Sequence, residues 1–145
     1  MIRGVSHVPV YVDDFERNLR FLVDVMGFQV VGTPLDPNEK SRFLRAGSDL
    51  IEILDAEMYQ RRCVAAFLVD NLEEELDSLR NKGVEFEEIS EIRESRLKEG
   101  GHRNVFFRMR GADKLNGGWV NMIEPVKWDP WKEASSTRPA RGARK

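Results

Sequence analysis

The sequence predicts an α+β fold of two tandem βαβββ modules forming a concave, partly open barrel-like sheet. Three observations carry this reading. Two stretches, GVSHVPVYVDDFERNLRFLVDVMGFQV (4–30) and CVAAFLVDNLEEELDSLRNKGVEFEE (63–88), share one plan: an apolar run, Val-Asp, an amphipathic segment, a Gly and another apolar run. Both amphipathic segments open on Asp-x-x-Glu and stop at a glycine. Two further strand-like runs follow each, so the order βαβββ occurs twice.

In the first module, residues 5–12 read as a strand. Phe15, Leu19, Leu22, Val23 and Met26 then fall on one helical face. Asp13 and Glu16 suit a reciprocal cap at the start of that helix, and Gly27 suits a left-handed stop. FQVVG and residues 41–46 and 49–54 supply the remaining strands. The second module repeats this with a strand at 63–69, a helix carrying Leu72, Leu76 and Leu79, the pair Asp70/Glu73 and the stop Gly83. Its later strands are VEFEE, 103–109 and 118–124. The acidic run EEISEIRESRLKEGG (87–101) reads as a solvated, mobile loop, or as a lid over the concave face. The modules occupy about 2–54 and 63–124 of a domain spanning 1–125. Residues 126–145 carry six Lys or Arg against two acids and read as a flexible basic tail, with Trp128 and Trp131 able to pin its beginning to the body.

Length and composition fit one globular domain with a real core. There is no apolar run of membrane-span length and no signal-peptide pattern. Cys63 is the sole cysteine, which excludes an internal disulfide and a thiolate cluster and fits a reducing cytoplasm. Outside the basic tail the chain is acidic, which argues against nucleic acid as a partner. No Gly-rich phosphate loop, Gly-x-Ser-x-Gly or His-Glu-x-x-His motif is present.

Strand alternation sorts the polar residues by face. In SDLIEILD, Ile51 and Ile53 point to the helix while Leu50, Glu52 and Leu54 face the concavity. A carboxylate among such neighbours needs a partner, a metal or a proton. An Arg such as Arg108 is one candidate partner; a wet-edge Glu paired with Arg42 or Arg45 is the alternative. His7 shares its face with Pro9 and Tyr11. In GGHRNVFFRMRG, Val105, Phe107 and Met109 take the helix side, while His102, Asn104, Phe106 and Arg108 take the concave side. Those four, with Tyr11, Trp119 and Asn121, form the candidate ligand-binding set, suited to an anionic or aromatic small molecule. Val64, Ala66 and Leu68 offer the same face a dry surface, and Cys63 points the other way.

HVPVYVDDFERNLRFLVDVMGF resembles the opening of the vicinal oxygen chelate superfamily, which includes glyoxalase I, extradiol dioxygenases, and fosfomycin and bleomycin resistance proteins. AFLVDNLEEELDSLRNKGVEF resembles the opening of its second module, and LNGGWVNMIEP its closing strand. The resemblance covers roughly residues 2–125. It implies a divalent-metal site with one ligand from the first strand and one from the last strand of each module. Those positions are His7 and Glu52 in the first module, Val64 and Asn121 in the second. Half of the site is therefore present. A neutral imidazole and a carboxylate suit Zn, Fe, Ni or Mn, but two ligands make a weak site. The resemblance thus implies a small-molecule-binding protein with no cofactor or a weakly held divalent metal. The alternative is a metal-dependent lyase or dioxygenase with His7, Glu52 and a third donor such as His102, in which Glu52 is the catalytic residue. It also implies a homodimer that buries sheet edges across a two-fold axis.

Overall fold

The computed structural model describes residues 1–112 and 117–131. The first module runs β1 (Ile2–Val12), α1 (Phe15–Arg20), β2 (Gln29–Gly32), β3 (Ser41–Ala46) and β4 (Asp49–Asp55). The second runs β5 (Cys63–Val69), α2 (Leu72–Asn81), β6 (Phe86–Ile89), β7 (Arg93–Leu97), β8 (Gly100–Met109) and β9 (Trp119–Val126). The nine strands among the described residues join one mixed sheet in the order β2-β3-β4-β1-β5-β9-β8-β6, with β7 also on β8. The modules therefore repeat one order and meet where β1 lies antiparallel to β5. Within each, the first strand pairs parallel with the last, placing Pro9 beside Glu52 and Ala66 beside Asn121.

Helix starts and stops follow local chemistry with a one-residue correction. The caps are Asp14, whose carboxylate accepts from Arg17 N, and Asn71, whose amide oxygen accepts from Glu74 N, one position after Asp13 and Asp70. Asp70 instead engages Arg3. Gly27 (φ 75°) and Gly83 (φ 86°) adopt the left-handed conformation expected of them. After Arg20 the first helix widens into a π-helical turn, Phe21–Val25, with Met26 N donating to Phe21 O. The wider turn breaks the 3.6-residue phase, so Phe15 is buried while Met26, expected on the same face, is exposed.

The helices cover two apolar clusters on the outer face of the sheet. Phe15, Leu44 and Ile53 pack with Leu19, Leu22, Val23 and Ile51 under α1. Val69, Leu72, Leu76, Val105, Phe107 and Met122 pack under α2. Met109, expected on the helix side, is exposed at the end of β8. A third cluster, including Phe43, Leu50, Leu97, Ile123 and Trp128, fills one end of the concave side.

The acidic run is the main departure from expectation. Residues 87–101 form most of β6, all of β7 and the start of β8. β6 and β7 pair with successive halves of β8, separated where Ser90 bonds Phe106 through its backbone and its hydroxyl. The charges in RESRL hide a period-2 strand because one face of an outer strand can stay wet.

Two contacts close the sheet at one end. Lys98 N donates to Thr33 O at 2.8 Å and Leu35 N to Arg96 O at 3.1 Å, joining the outer strands of the two modules within one chain. Beyond β9 the chain turns across the concave side. Trp128 Nε1 donates to Val31 O at 3.1 Å, Trp131 Nε1 to Ser6 O at 3.2 Å, and Arg45 Nε to Pro130 O at 3.2 Å. The remainder of the basic tail lies outside the described residues.

Candidate functional site

The closed end and the curved sheet leave a cavity of about 530 Å³ that both modules line. His7, Pro9 and Tyr11 reach it from β1, Phe43 from β3, and Glu52 and Leu54 from β4. Ala66 comes from β5, His102, Asn104 and Phe106 from β8, and Asn121 from β9. The volume falls within the range of small-molecule pockets.

At its centre His7 Nε2 lies 3.3 Å from Glu52 Oε1, and Ser6 Oγ lies 3.0 Å from His7 Nδ1. A neutral ring protonated at Nε2 satisfies both: it donates to Glu52 and accepts from the Ser6 hydroxyl. His7 is buried, and Glu52 keeps only 17% of its side chain exposed. Glu52 therefore finds its partner in His7 and not in the arginines expected. Arg42 donates to Ser41 O and lies over Phe15, Arg45 holds Pro130 O, and Arg108 is bound by Glu87 and Glu88.

Phe43 touches both histidines edge-on, with centroids 4.9 Å from His7 and 5.6 Å from His102. His102 also packs on Trp128 at 5.4 Å. Burial, and secondarily His7, push the His102 imidazole down from 6.5 to about 3, so the ring is neutral at physiological pH. Its Nδ1 is buried without a hydrogen-bond partner among the described residues.

Tyr11 presents its ring to the cavity while its hydroxyl clamps the chain entering β5, donating to Arg61 O and accepting from Cys63 N, both at 3.0 Å. Burial raises Tyr11 to about 12. Asn104 donates to Ser95 Oγ at 3.1 Å, and Asn121 Nδ2 to Val105 O at 3.1 Å.

Two members of the candidate set stand off the cavity lining. Arg108 is buried against Glu87 and Glu88, and Trp119 lies under the guanidinium of Arg61 at 5.3 Å. The end of β5 also departs from simple alternation. Its register shifts between Cys63 and Ala66, so both face the cavity while Val64 is 68% exposed and off it. Cys63 thus lines the site it was expected to avoid; burial pushes its thiol up to about 12, so it remains protonated.

The sequence reading did not single out Met58, Tyr59, Arg61, Arg93 and Ser95 as lining residues. The first three sit in the β4–β5 connection, which has no period to read, and the last two belong to the disguised strand β7. The alternation of RESRL could have revealed Arg93 and Ser95.

The donor set does not fit a resident divalent ion. His7 and Glu52 bond each other, Val64 points away with a hydrocarbon side chain, and the Asn121 amide is committed to Val105. Among the described residues no three His, Cys, Asp or Glu side chains gather as a metal would need, so His102 does not complete the set.

A family model described as Glyoxalase/Bleomycin resistance protein/Dioxygenase superfamily matches residues 4–91. Among solved structures, methylmalonyl-CoA epimerase from Mycobacterium tuberculosis is similar at 19% identity and a TM-score of 0.60, over 86% of this chain and 89% of that one. A superfamily member from Vibrio splendidus 12B01 is similar at 15% identity and a TM-score of 0.52, over 87% and 100%. A variant of Streptomyces coelicolor methylmalonyl-CoA epimerase, in complex with 2-nitronate-propionyl-CoA, is similar at 15% identity and a TM-score of 0.59, over 89% and 99%. At these identities the likeness is one of fold. No curated protein matches the sequence.

Proposed function

The chain belongs to the glyoxalase/bleomycin resistance protein/dioxygenase superfamily, and from that premise we propose that it binds a small molecule in its concave cavity. The observation that carries this reading is a pocket walled by both modules of one chain, with the His7–Glu52 pair facing it beside apolar surface. Leu54, Met58, Phe43 and Phe106 suit an apolar or aromatic body. Glu52 offers a lone-pair-rich end for a ligand hydroxyl or amine, and neutral His102 offers a weaker hydrogen-bonding site on the opposite module.

A second reading rests on the same 3.3 Å pair. A carboxylate oriented by a histidine in a half-dry site is a general base, able to take a proton from a carbon acid held above it. Two similar folds are methylmalonyl-CoA epimerases, which makes such a substrate a fair probe.

The test is native mass spectrometry and metal analysis of tag-free protein, followed by melting scans against a ligand panel. Metal content well below one per chain is expected, with ligand-induced stabilisation that survives chelator. Glu52→Gln keeps the melting temperature within about 3 °C, since a neutral amide can still accept from His7, and it shifts ligand preference. One metal per chain, lost in both His7→Ala and Glu52→Gln, would overturn the binding reading. Deuterium exchange into a bound carbon acid, abolished by Glu52→Gln, would establish the second.

A further inference from the structure

We infer that the cavity selects an organic oxyanion, a carboxylate or phosphate held at its mouth by Arg61 and Arg93; this rests on the reading that the cavity binds a small molecule. The sequence offered Arg108 as the cation of the concave face, but that guanidinium is buried against Glu87 and Glu88. Positive charge reaches the cavity from two other places. Arg61 arrives from the β4–β5 connection, its guanidinium 5.6 Å from the Phe106 ring and 5.3 Å from that of Trp119. Arg93 opens β7 directly beside Asn104 of β8, on the face that Ser95 and Leu97 share in the lining. Asn104 and Phe106 are alternate residues on one face of β8, so the two arginines flank one short stretch of wall. Among the described residues the Arg93 guanidinium makes no ion pair or hydrogen bond, and that of Arg61 meets only aromatic faces.

The first-module wall carries the acids. Glu52 stands at the centre on β4, and Glu39 lines the cavity from the β2–β3 connection. Burial, then Asp36 and Glu52, raises the Glu39 carboxyl above its ordinary value, which places these acids in one field. Glu94, the remaining acid of the lining, alternates with Arg93 along β7 and lies 3.9 Å from Arg96. The cavity is thus negative on one wall and positive on the other. An anion entering it is repelled by Glu52 and drawn to the two guanidinium groups, which fixes its orientation. Guanidinium forks match carboxylate and phosphate oxygens with paired N–H bonds. The ligand class that satisfies both walls has an oxyanion at one end and a hydroxyl or amine donating to Glu52 at the other. Between them lies an apolar or aromatic body, against Phe43, Leu54 and Phe106.

The probe is 4-hydroxyphenylacetate, which carries all three parts, compared with its neutral primary amide. Titrations followed by backbone amide NMR shifts should place both compounds at cavity residues such as Asn104 and Phe106, with the acid bound about 10-fold more tightly or better. Arg61→Gln and Arg93→Gln should each weaken the acid about 10-fold and leave the amide within about twofold. Added salt, about 0.5 M NaCl, should narrow the difference between acid and amide. Far-UV circular dichroism checks the fold, and two variants are used so that misfolding of one leaves the other as the reading. Equal affinity for acid and amide, or folded arginine variants that bind the acid as wild type does, overturns the oxyanion selectivity and leaves the cavity standing as a binding site. No shift at cavity amides with either compound at 10 mM overturns the cavity reading and the selectivity together.

Discussion

Lowering the pH should cost this protein stability through His102, and the amount can be worked out. The native imidazole is packed by Phe43 and Trp128, near His7, and titrates only at about 3. In the unfolded chain it titrates near 6.5. Between these values the unfolded state binds the extra proton, so stability rises with pH across the window. The contribution is fully present above about 6.5 and drains as the pH falls towards 3. Taking up that proton favours unfolding by about 2 kcal/mol at pH 5 and about 3 kcal/mol at pH 4. The assay is urea unfolding of wild type and His102→Gln at pH 7.5 and 5. The rest of the chain is common to both proteins, so the difference between the two pH dependences reports on His102. Wild type should lose about 2 kcal/mol more than the variant on going to pH 5. Equal losses, or an imidazole NMR signal for His102 that titrates near 6.5, would refute the burial argument.

Trp128→Ala should cost about 3–5 kcal/mol, because it empties the closed end of the barrel and leaves Val31 O without its donor. Differential scanning calorimetry should show a fall in melting temperature of roughly 10 °C or more, and an unchanged value would mean that residues 128–131 lie outside the folded core. Gly4 and Gly100 share φ 144° but differ in surroundings: a Cβ at Gly4 meets nothing within 4 Å, whereas one at Gly100 would lie 2.7 Å from Trp128 Cβ and closer still to Lys127 O. Gly4→Ala should therefore cost only the backbone strain, about 1–3 kcal/mol, and Gly100→Ala distinctly more by denaturant unfolding. Equal costs would show that the chain beyond β9 yields easily.

Much of the architecture was legible in the sequence because it rests on local rules. The repeat of apolar strand, Val-Asp, amphipathic helix and glycine set the element order, and β3, β5 and the two glycine stops appear where periodicity and backbone freedom put them. Alternation also placed His7, Glu52, His102, Asn104 and Phe106 on one face, since a strand has only two. Tertiary structure decided what alternation cannot carry. A register shift in β5 turned Val64 out and Cys63 in, and a π-helical turn moved Met26 off its face. An outer strand hid inside RESRL because its charged face stays wet. Partner choice was beyond local reading for the same reason. Glu52 had several arginines within sequence reach, but which side chain meets it depends on how two modules curve around one cavity, and that curvature gave it His7. Neighbours along the chain assign a residue's face wherever the strand or helix stays regular; only the tertiary structure determines where that regularity breaks and which faces come together.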